Sequence, residues 1–85
     1  MSRDAVPGLG ARILKLRAAR GWSTLVLAAK LAEHGWKGGA SKITHIEAEN
    51  KRAGVTGPTL LALADVLDTT TDYLLGRTDD PTPRR

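Results

Sequence analysis

The side chains best suited to hydrogen-bond chemistry lie in one short segment in the middle of the chain. Ser41 and Thr44 carry hydroxyls that donate or accept, Lys42 donates from a flexible cation, and His45 donates from one or both ring nitrogens. Ala40, just before them, has a methyl group that can contact a thymine methyl. Side chains of these types can hydrogen-bond to or contact base edges in the DNA major groove, where every base pair shows a distinct pattern.

Basic residues surround this segment. Lys37 precedes it, and Lys51 and Arg52 follow it. Ser23 predicts the N-cap of an earlier helix, whose first amides and positive dipole end can bind a phosphate. Contacts of this kind release counterions, so we expect binding to fall by ~0.9 log units per contact for each tenfold rise in salt.

Composition bounds the class of protein. With 85 residues, 41% of them hydrophobic, the chain predicts a single small globular domain. The formal charge of +4 favours a polyanionic partner, although a small protein can carry such a charge for solubility alone. The basic residues around the central segment are separated from the downstream aspartates, which are Asp65, Asp68, Asp72, Asp79 and Asp80.

The cellular location follows from what the sequence lacks. There is no cysteine, which excludes disulfides and thiolate metal sites. No apolar run approaches the ~20 residues that span a bilayer, and the start, Met1-Ser2-Arg3-Asp4, lacks the apolar core of a signal peptide. We therefore expect a cytoplasmic protein with no membrane partner.

The elements that must position these side chains are helical throughout. Capping residues, apolar spacings of three and four, and glycines at the ends predict an all-α, compact five-helix domain. No alternating pattern typical of a strand occurs. The predicted helices lie near 8–20, 24–34, 40–48, 57–67 and 70–75. The domain is predicted over 8–76, between a flexible leader at 1–7 and a flexible tail at 77–85.

The apolar stripes of these helices predict the core. They consist of Leu9, Ile13, Leu16, Leu27, Ala28, Leu31, Ile43, Ile46, Leu60, Leu63, Ala64, Leu67, Tyr73 and Leu74. Trp22 is predicted to close the first two helices. Trp36 either packs over the glycine break or lies against DNA or a partner, and His34 is predicted to end a helix without chemistry.

The second and third helices are separated by a glycine-rich break over 35–39, which includes three glycines. Each glycine costs ~1 kcal/mol relative to alanine inside a helix, so this stretch predicts a turn. A capped helix, a glycine break and a short polar-faced helix form a helix-turn-helix pattern, in which the second helix of the motif enters the major groove.

Five groups of residues occur in an order that resembles a known family. They are Arg12-Ile13-x-x-Leu16-Arg17, Gly21-Trp22-Ser23, Lys42-Ile43-x-x-Ile46-Glu47, Leu60-Leu61-Ala62-Leu63-Ala64 and Asp72-Tyr73-Leu74-Leu75-Gly76. This order resembles the phage-repressor-like helix-turn-helix family, the Cro/repressor or Xre type, over residues 9 to 76. Each group alone is weak, and the ordered set is specific.

The resemblance implies a transcriptional regulator that binds a palindromic operator as a dimer. It implies a phosphate contact at Thr24 and backbone contacts at the loop residues Asn50, Lys51 and Arg52. It also implies a buried ion pair between Arg17 and Glu47. The base-reading positions that it implies are Ala40, Ser41, Lys42, Thr44 and His45.

The chain departs from the family pattern at three places. Thr24 replaces the usual glutamine, the break between the second and third helices is longer, and the first base-reading position is Ala40, which cannot hydrogen-bond. A candidate dimer interface is the last helix with Tyr73, Leu74 and Leu75; the alternative is that Tyr73 and Leu74 belong to the core, leaving only Leu75.

Catalysis finds no support in the residue types. The two histidines are eleven positions apart, which is not a metal-binding spacing on a helix, and no glycine-rich phosphate loop follows a strand. We expect no enzyme activity, no cofactor and no small-molecule substrate. The leading hypothesis is a sequence-specific DNA-binding regulator, most simply a repressor acting as a homodimer on double-stranded DNA. The alternative is a protein-interaction module, or an antitoxin-type partner, that uses the same fold without operator binding.

Overall fold

The chain folds into five short α-helices. The computed structural model describes residues 8–49 and 55–83, and these ranges contain no strand. The helices are α1 (Leu9–Ala19), α2 (Thr24–Ala32), α3 (Gly39–Glu47), α4 (Gly57–Val66) and α5 (Thr71–Leu74). The all-helical prediction is confirmed, and each observed helix lies within about two residues of its predicted limits.

Three helices begin at a hydroxyl side chain, as their sequences predict. Ser23 Oγ accepts a hydrogen bond from the amide of Val26 at 3.2 Å at the start of α2. Thr56 Oγ1 accepts from Thr59 at the start of α4, and Thr70 Oγ1 accepts from Tyr73 at the start of α5. Each cap satisfies an amide that has no acceptor inside the helix, so these starting points are defined locally.

Two glycine–tryptophan pairs end the first two helices in the same way. Gly21 has φ of +67° and Gly35 has φ of +86°, a conformation that glycine adopts without a steric cost. The amide of Trp22 donates to Arg17 O and the amide of Trp36 donates to Leu31 O, both at 3.2 Å. This is the Schellman arrangement, in which the residue after the left-handed position turns back onto the helix.

Two other helix ends use the left-handed conformation without glycine. Glu49 follows α3 with φ of +55°, and Asp68 follows α4 with φ of +51°. Aspartate tolerates this region better than glutamate does, because its short side chain can hydrogen-bond locally. The end of α3 therefore contains a mildly unfavourable residue.

The core receives buried side chains from all five helices. Most of the predicted stripe is buried, while Leu16, Ala28 and Leu60 are partly buried at its edge. The buried apolar residues are Leu9, Ile13, Leu27, Leu31, Ile43, Ile46, Ala62, Leu63, Ala64, Leu67, Tyr73 and Leu74. Helix α3 packs on both α1 and α2, which leaves its opposite side facing outward.

Part of the predicted tail forms hydrogen bonds with the helical domain. Thr69 Oγ1 donates to the carbonyl of Pro81 at 2.6 Å, and the amide of Arg77 donates to Asp72 O at 2.8 Å. These bonds hold the described part of the tail, residues 77–83, against the junction of α4 and α5. The predicted leader at 1–7 and the last two residues lie outside the described ranges.

None of the helices that the structure describes has the length and apolar character required to cross a bilayer.

Candidate functional site

The outward side of α3 carries a compact group of polar side chains. At 3.6 residues per turn, positions 40, 41, 44 and 45 fall within an arc of about 140°. Ser41, Thr44 and His45 are exposed and Ala40 is half-buried. Ile43 and Ile46 are buried on the opposite side, each at most 2% exposed. The two isoleucines thus fix which side of α3 faces outward.

Lys42 is separated from this group. Its position is about 100° round the helix from Ser41, on the side of Ile46, and its side chain is half-buried. The sequence places Lys42 among the base-reading residues, whereas the geometry puts it at the edge of the outward side. A lysine there reaches outward by extending its long stem along the helix.

The hydroxyl of Thr44 is already engaged within the helix. Thr44 Oγ1 donates to the carbonyl of Ala40 at 3.2 Å. Its proton is therefore used, and its lone pairs and methyl group remain for an external ligand. Ser41 has no such bond within the residues that the structure describes, so its hydroxyl can both donate and accept.

A bidentate ion pair connects α1 to the end of α3. Arg17 Nε lies 2.7 Å from Glu47 Oε2, and Arg17 Nη2 lies 2.9 Å from Glu47 Oε1. The two side chains are 15% and 10% exposed. Arg17 Nη1 also donates to the carbonyl of Trp22 at 2.7 Å. The ion pair implied by the family resemblance is therefore present.

The ion pair also shifts the ionisation of the arginine. The hydrogen bonds that Arg17 donates to the Glu47 carboxylate, together with the charge of that carboxylate, raise the pKa of the Arg17 guanidinium, while partial burial opposes the shift. A raised pKa means that the attraction is fully present below the ordinary pKa and is lost only above it. Arg17 thus stays charged, and keeps its three hydrogen bonds to Glu47 and Trp22, throughout the neutral range.

The start of α2 retains amides for an external acceptor. Ser23 is exposed and, among the described residues, its hydroxyl bonds only to the Val26 amide, while Thr24 is half-buried. The first amides of a helix have no intrahelical partner, and they carry the positive end of the helix dipole. Ser23 and Thr24, the residues with predicted phosphate contacts, accordingly sit at an electropositive helix end.

The connection between α2 and α3 is an ordered structure built around Trp36. Its ring is half-buried, packs against the core and lies directly over Gly38, where a Cβ atom would overlap the indole. It also lines a cleft with Pro58 and Ala62 of α4. Of the two alternatives for Trp36, packing over the break is the one observed. His34 is exposed after α2, and its side chain forms no hydrogen bond or ion pair with the residues that the structure describes.

The predicted phosphate contacts after α3, which are Asn50, Lys51 and Arg52, lie outside the described residues. Lys37 is exposed in the connection before α3.

Two of the three residues of the predicted dimer interface, Tyr73 and Leu74, are buried. Tyr73 is 5% exposed and Leu74 is 0% exposed, because the single turn of α5 directs both side chains into the core. Only Leu75 remains partly accessible. The alternative stated from the sequence, that Tyr73 and Leu74 are core residues, is therefore the observed arrangement, and an interface through them would require α5 to leave the domain.

The described charges divide between two parts of the molecule. Residues 8–49 contain seven lysines and arginines and three glutamates. Residues 55–83 contain five aspartates and one arginine, Arg77. The part with α1, α2 and α3 thus has a net charge of +4, and the part with α4, α5 and the tail has −4. A polyanion is attracted to the first and repelled by the second.

Sequence reasoning missed one cluster of cations. Lys30 Nζ lies 4.6 Å from the centroid of the Trp22 ring, and Arg20 Cζ lies 5.6 Å from it. The two cations are ten positions apart and belong to different elements, so no periodicity connects them. The only available signal was the presence of unassigned basic residues near a tryptophan.

Searches of protein-family models, of curated proteins and of solved structures each found no match to this chain. The resemblance to the repressor-like family thus continues to rest on the motif residues.

Proposed function

We propose that this protein is a sequence-specific DNA-binding regulator, and that α2, the connection and α3 act as a helix-turn-helix. The observation that carries the proposal is the division of α3 into a buried side, with Ile43 and Ile46, and an outward side, with Ser41, Thr44 and His45. A helix that packs on the core through one side, and carries short polar groups on its outward side, fits the major groove.

The side chains of α3 have distinct proposed roles. Ser41 donates to or accepts from a base edge. Thr44 acts as an acceptor or as a methyl contact, because its proton is bonded to Ala40. His45 donates from a ring nitrogen, and Ala40 contacts a thymine methyl. Lys42, at the edge of the group, is assigned to a phosphate rather than to a base.

Phosphate contacts supply most of the proposed affinity. The start of α2 with Ser23 and Thr24 is the principal seat, and Lys37 adds a cation before α3. The division of charge supports an orientation in which α2 and α3 face the duplex, since the acidic part with α4 and α5 is repelled by it. In this proposal the protein binds without catalysing a reaction.

Dimerisation is proposed on the operator, without the α5 interface. Two copies would read half-sites ~34 Å apart, one turn of the duplex. A two-fold interface places the same surface on both copies, so pairing through the acidic part would bring like charges together. We therefore expect the free protein to be monomeric and two copies to assemble on a symmetric site.

The decisive experiment is a protection footprint over the DNA upstream of the protein's own gene, combined with binding-site selection from random duplexes. The proposal expects a protected, two-fold-symmetric site and a selected consensus. Equal weak binding to all duplexes would contradict sequence specificity. No binding to any duplex at low salt would contradict the proposal altogether.

Variants of α3 and a matched control test whether the side chains of α3 read the bases. Ser41→Ala and His45→Ala should change the selected consensus while the melting temperature stays the same, because both side chains are exposed. Thr82→Ala, an exposed residue of the tail on the acidic part, is the control and should leave both unchanged. A consensus unaffected by both α3 variants would remove α3 from base reading.

A second candidate is a protein-interaction module, and one observation favours it. Leu25 on the first turn of α2 is 72% exposed, and Leu61 on α4 is 61% exposed. Large exposed apolar side chains of this kind can mark a docking surface. This candidate predicts that Leu25→Ser and Leu61→Ser abolish partner binding while duplex binding, if any, is retained. Within the described part of α3 and its flanks, 39–49, no large apolar side chain is exposed, which supports the DNA proposal for that face.

A further inference from the structure

The ring of Trp22 brings together two cations from different elements. Arg20 follows α1, and Lys30 lies in the last turn of α2. Their charged groups lie 5.6 Å and 4.6 Å from the ring centroid, so they are at most about 10 Å apart. The backbone of Trp22 is held because its carbonyl accepts from Arg17 Nη1 and its amide donates to Arg17 O, and its side chain packs against the core.

Neither Arg20 nor Lys30 forms an ion pair with a carboxylate in the described ranges 8–49 and 55–83. The only other bond of Arg20 within these ranges is a weak one, from Nη1 to Leu16 O at 3.3 Å. A cation–π contact holds a charge in position without cancelling it. Two positive charges at most about 10 Å apart repel each other, and an anion that contacts both would offset that repulsion.

We propose that Arg20, Trp22 and Lys30 form a binding site for a phosphate-type oxyanion. This inference rests on the proposed function in one respect, because in a DNA complex the oxyanion would be a backbone phosphate next to the one bound by Ser23 and Thr24. The guanidinium has five N–H donors, of which the structure shows one bonded to Leu16 O, and the ammonium acts as a second donor group. Trp22 is a positioning residue, since it orders both cations before the ligand arrives.

The arrangement extends the phosphate-binding surface beyond the predicted residues. Trp22 directly precedes Ser23, so the cation pair adjoins the positive end of α2. Phosphate contacts made by Arg20 and Lys30 would raise affinity for every duplex equally, because phosphates carry no sequence information. Their effect is therefore separable from that of the base-reading side of α3.

The first arm of the test measures duplex binding as a function of salt. In the double variant Arg20→Gln with Lys30→Gln, the fall of log K with log salt should become shallower by ~1.8, which corresponds to two lost contacts at ~0.9 each. The selected consensus should stay unchanged. Arg77→Gln, a single charge removed from the acidic part, is the control and should leave the slope unchanged. If the double variant binds the duplex with the affinity and the salt slope of the wild type, the inference is overturned and the proposed function still stands.

The second arm uses inorganic phosphate and pyrophosphate without DNA. In a Trp36→Phe background Trp22 is the only tryptophan, so its emission reports on this site. We expect saturable quenching by pyrophosphate that the double Gln variant abolishes and Arg77→Gln keeps. If no duplex binds but this quenching occurs, the site is an oxyanion site for a free ligand and the DNA proposal fails. If the protein binds neither duplex nor pyrophosphate in this way, the inference is overturned.

Discussion

Gly10 of α1 lies directly against the backbone of Glu47 at the end of α3. A Cβ atom built on Gly10 would lie 2.5 Å from the carbonyl oxygens of both Ile46 and Glu47. The same two helices are joined by the Arg17–Glu47 ion pair, with nitrogen–oxygen distances of 2.7 and 2.9 Å. Two independent contacts thus fix the position of α3 relative to α1: the close approach of Gly10 to the backbone of α3, and the ion pair.

The close approach predicts that Gly10→Ala is strongly destabilising. The added methyl group cannot be accommodated without separating α1 from α3, and overpacking of this kind costs about 1–3 kcal/mol. Gly57→Ala is the matched control, because a Cβ atom at Gly57 meets nothing within 4 Å. Its free energy of unfolding should change by less than about 1 kcal/mol. Chemical denaturation of both variants measures the difference, and equal stability of the two would contradict the observed contact.

The ion pair predicts a large effect of Glu47→Ala. Removal of the carboxylate leaves the mostly buried Arg17 without its partner, a loss that we expect to cost about 3 kcal/mol, at the low end of the range for a stranded buried charge. Glu33→Ala removes an exposed glutamate at the end of α2 and should be nearly neutral. A melting temperature of Glu47→Ala equal to that of the wild type would reject the importance of the pair.

The left-handed end of α3 predicts a stabilising substitution. Glu49 has φ of +55°, so Glu49→Gly removes a steric cost, although glycine also loses more entropy on folding. We expect a net gain of about 0.5 kcal/mol, or ~2–4 °C in melting temperature. Glu33 has φ of −63°, and Glu33→Gly should instead lose about 0.5–1 kcal/mol. Thermal melts in which both variants shift in the same direction would contradict this assignment.

The position of Lys42 at the edge of α3 predicts how it contributes to DNA binding. Lys42→Ala should weaken binding to all duplexes to a similar degree and reduce the salt slope by ~0.9, since the contact is assigned to a phosphate. Ser41→Ala should instead alter preference at one base position. Competition between the consensus and single-base variants, at two salt concentrations, separates these outcomes. A change of base preference in Lys42→Ala would return it to the base-reading group.

Much of the fold could be predicted from the sequence, because its signals are local. Ser23, Thr56 and Thr70 are capping residues that act within their own first turn, and the paired isoleucines of α3 follow the helical period. The core stripe followed from the same period. Each of these features depends on neighbours within about four positions, which the sequence displays directly.

Features that depend on three-dimensional placement could not be predicted. The cations on Trp22 come from two elements, and the displacement of Lys42 from Ser41 follows from how α3 is rotated on the core. Tyr73 and Leu74 could be either core or interface until α5 was placed. The Arg17–Glu47 pair, thirty positions apart, was anticipated only through a family resemblance.

The unequal distribution of charge has a consequence for how fast the protein would find a polyanion. Within the described residues, the part with α1, α2 and α3 carries +4 and the part with α4, α5 and the tail carries −4, so an external field would turn the molecule as well as attract it. Rotation during the approach would present α2 and α3 first, so a larger share of collisions would start in a useful orientation. Because ions screen this torque beyond ~10 Å at 0.1 M salt, the gain in association rate should fade as the buffer is concentrated.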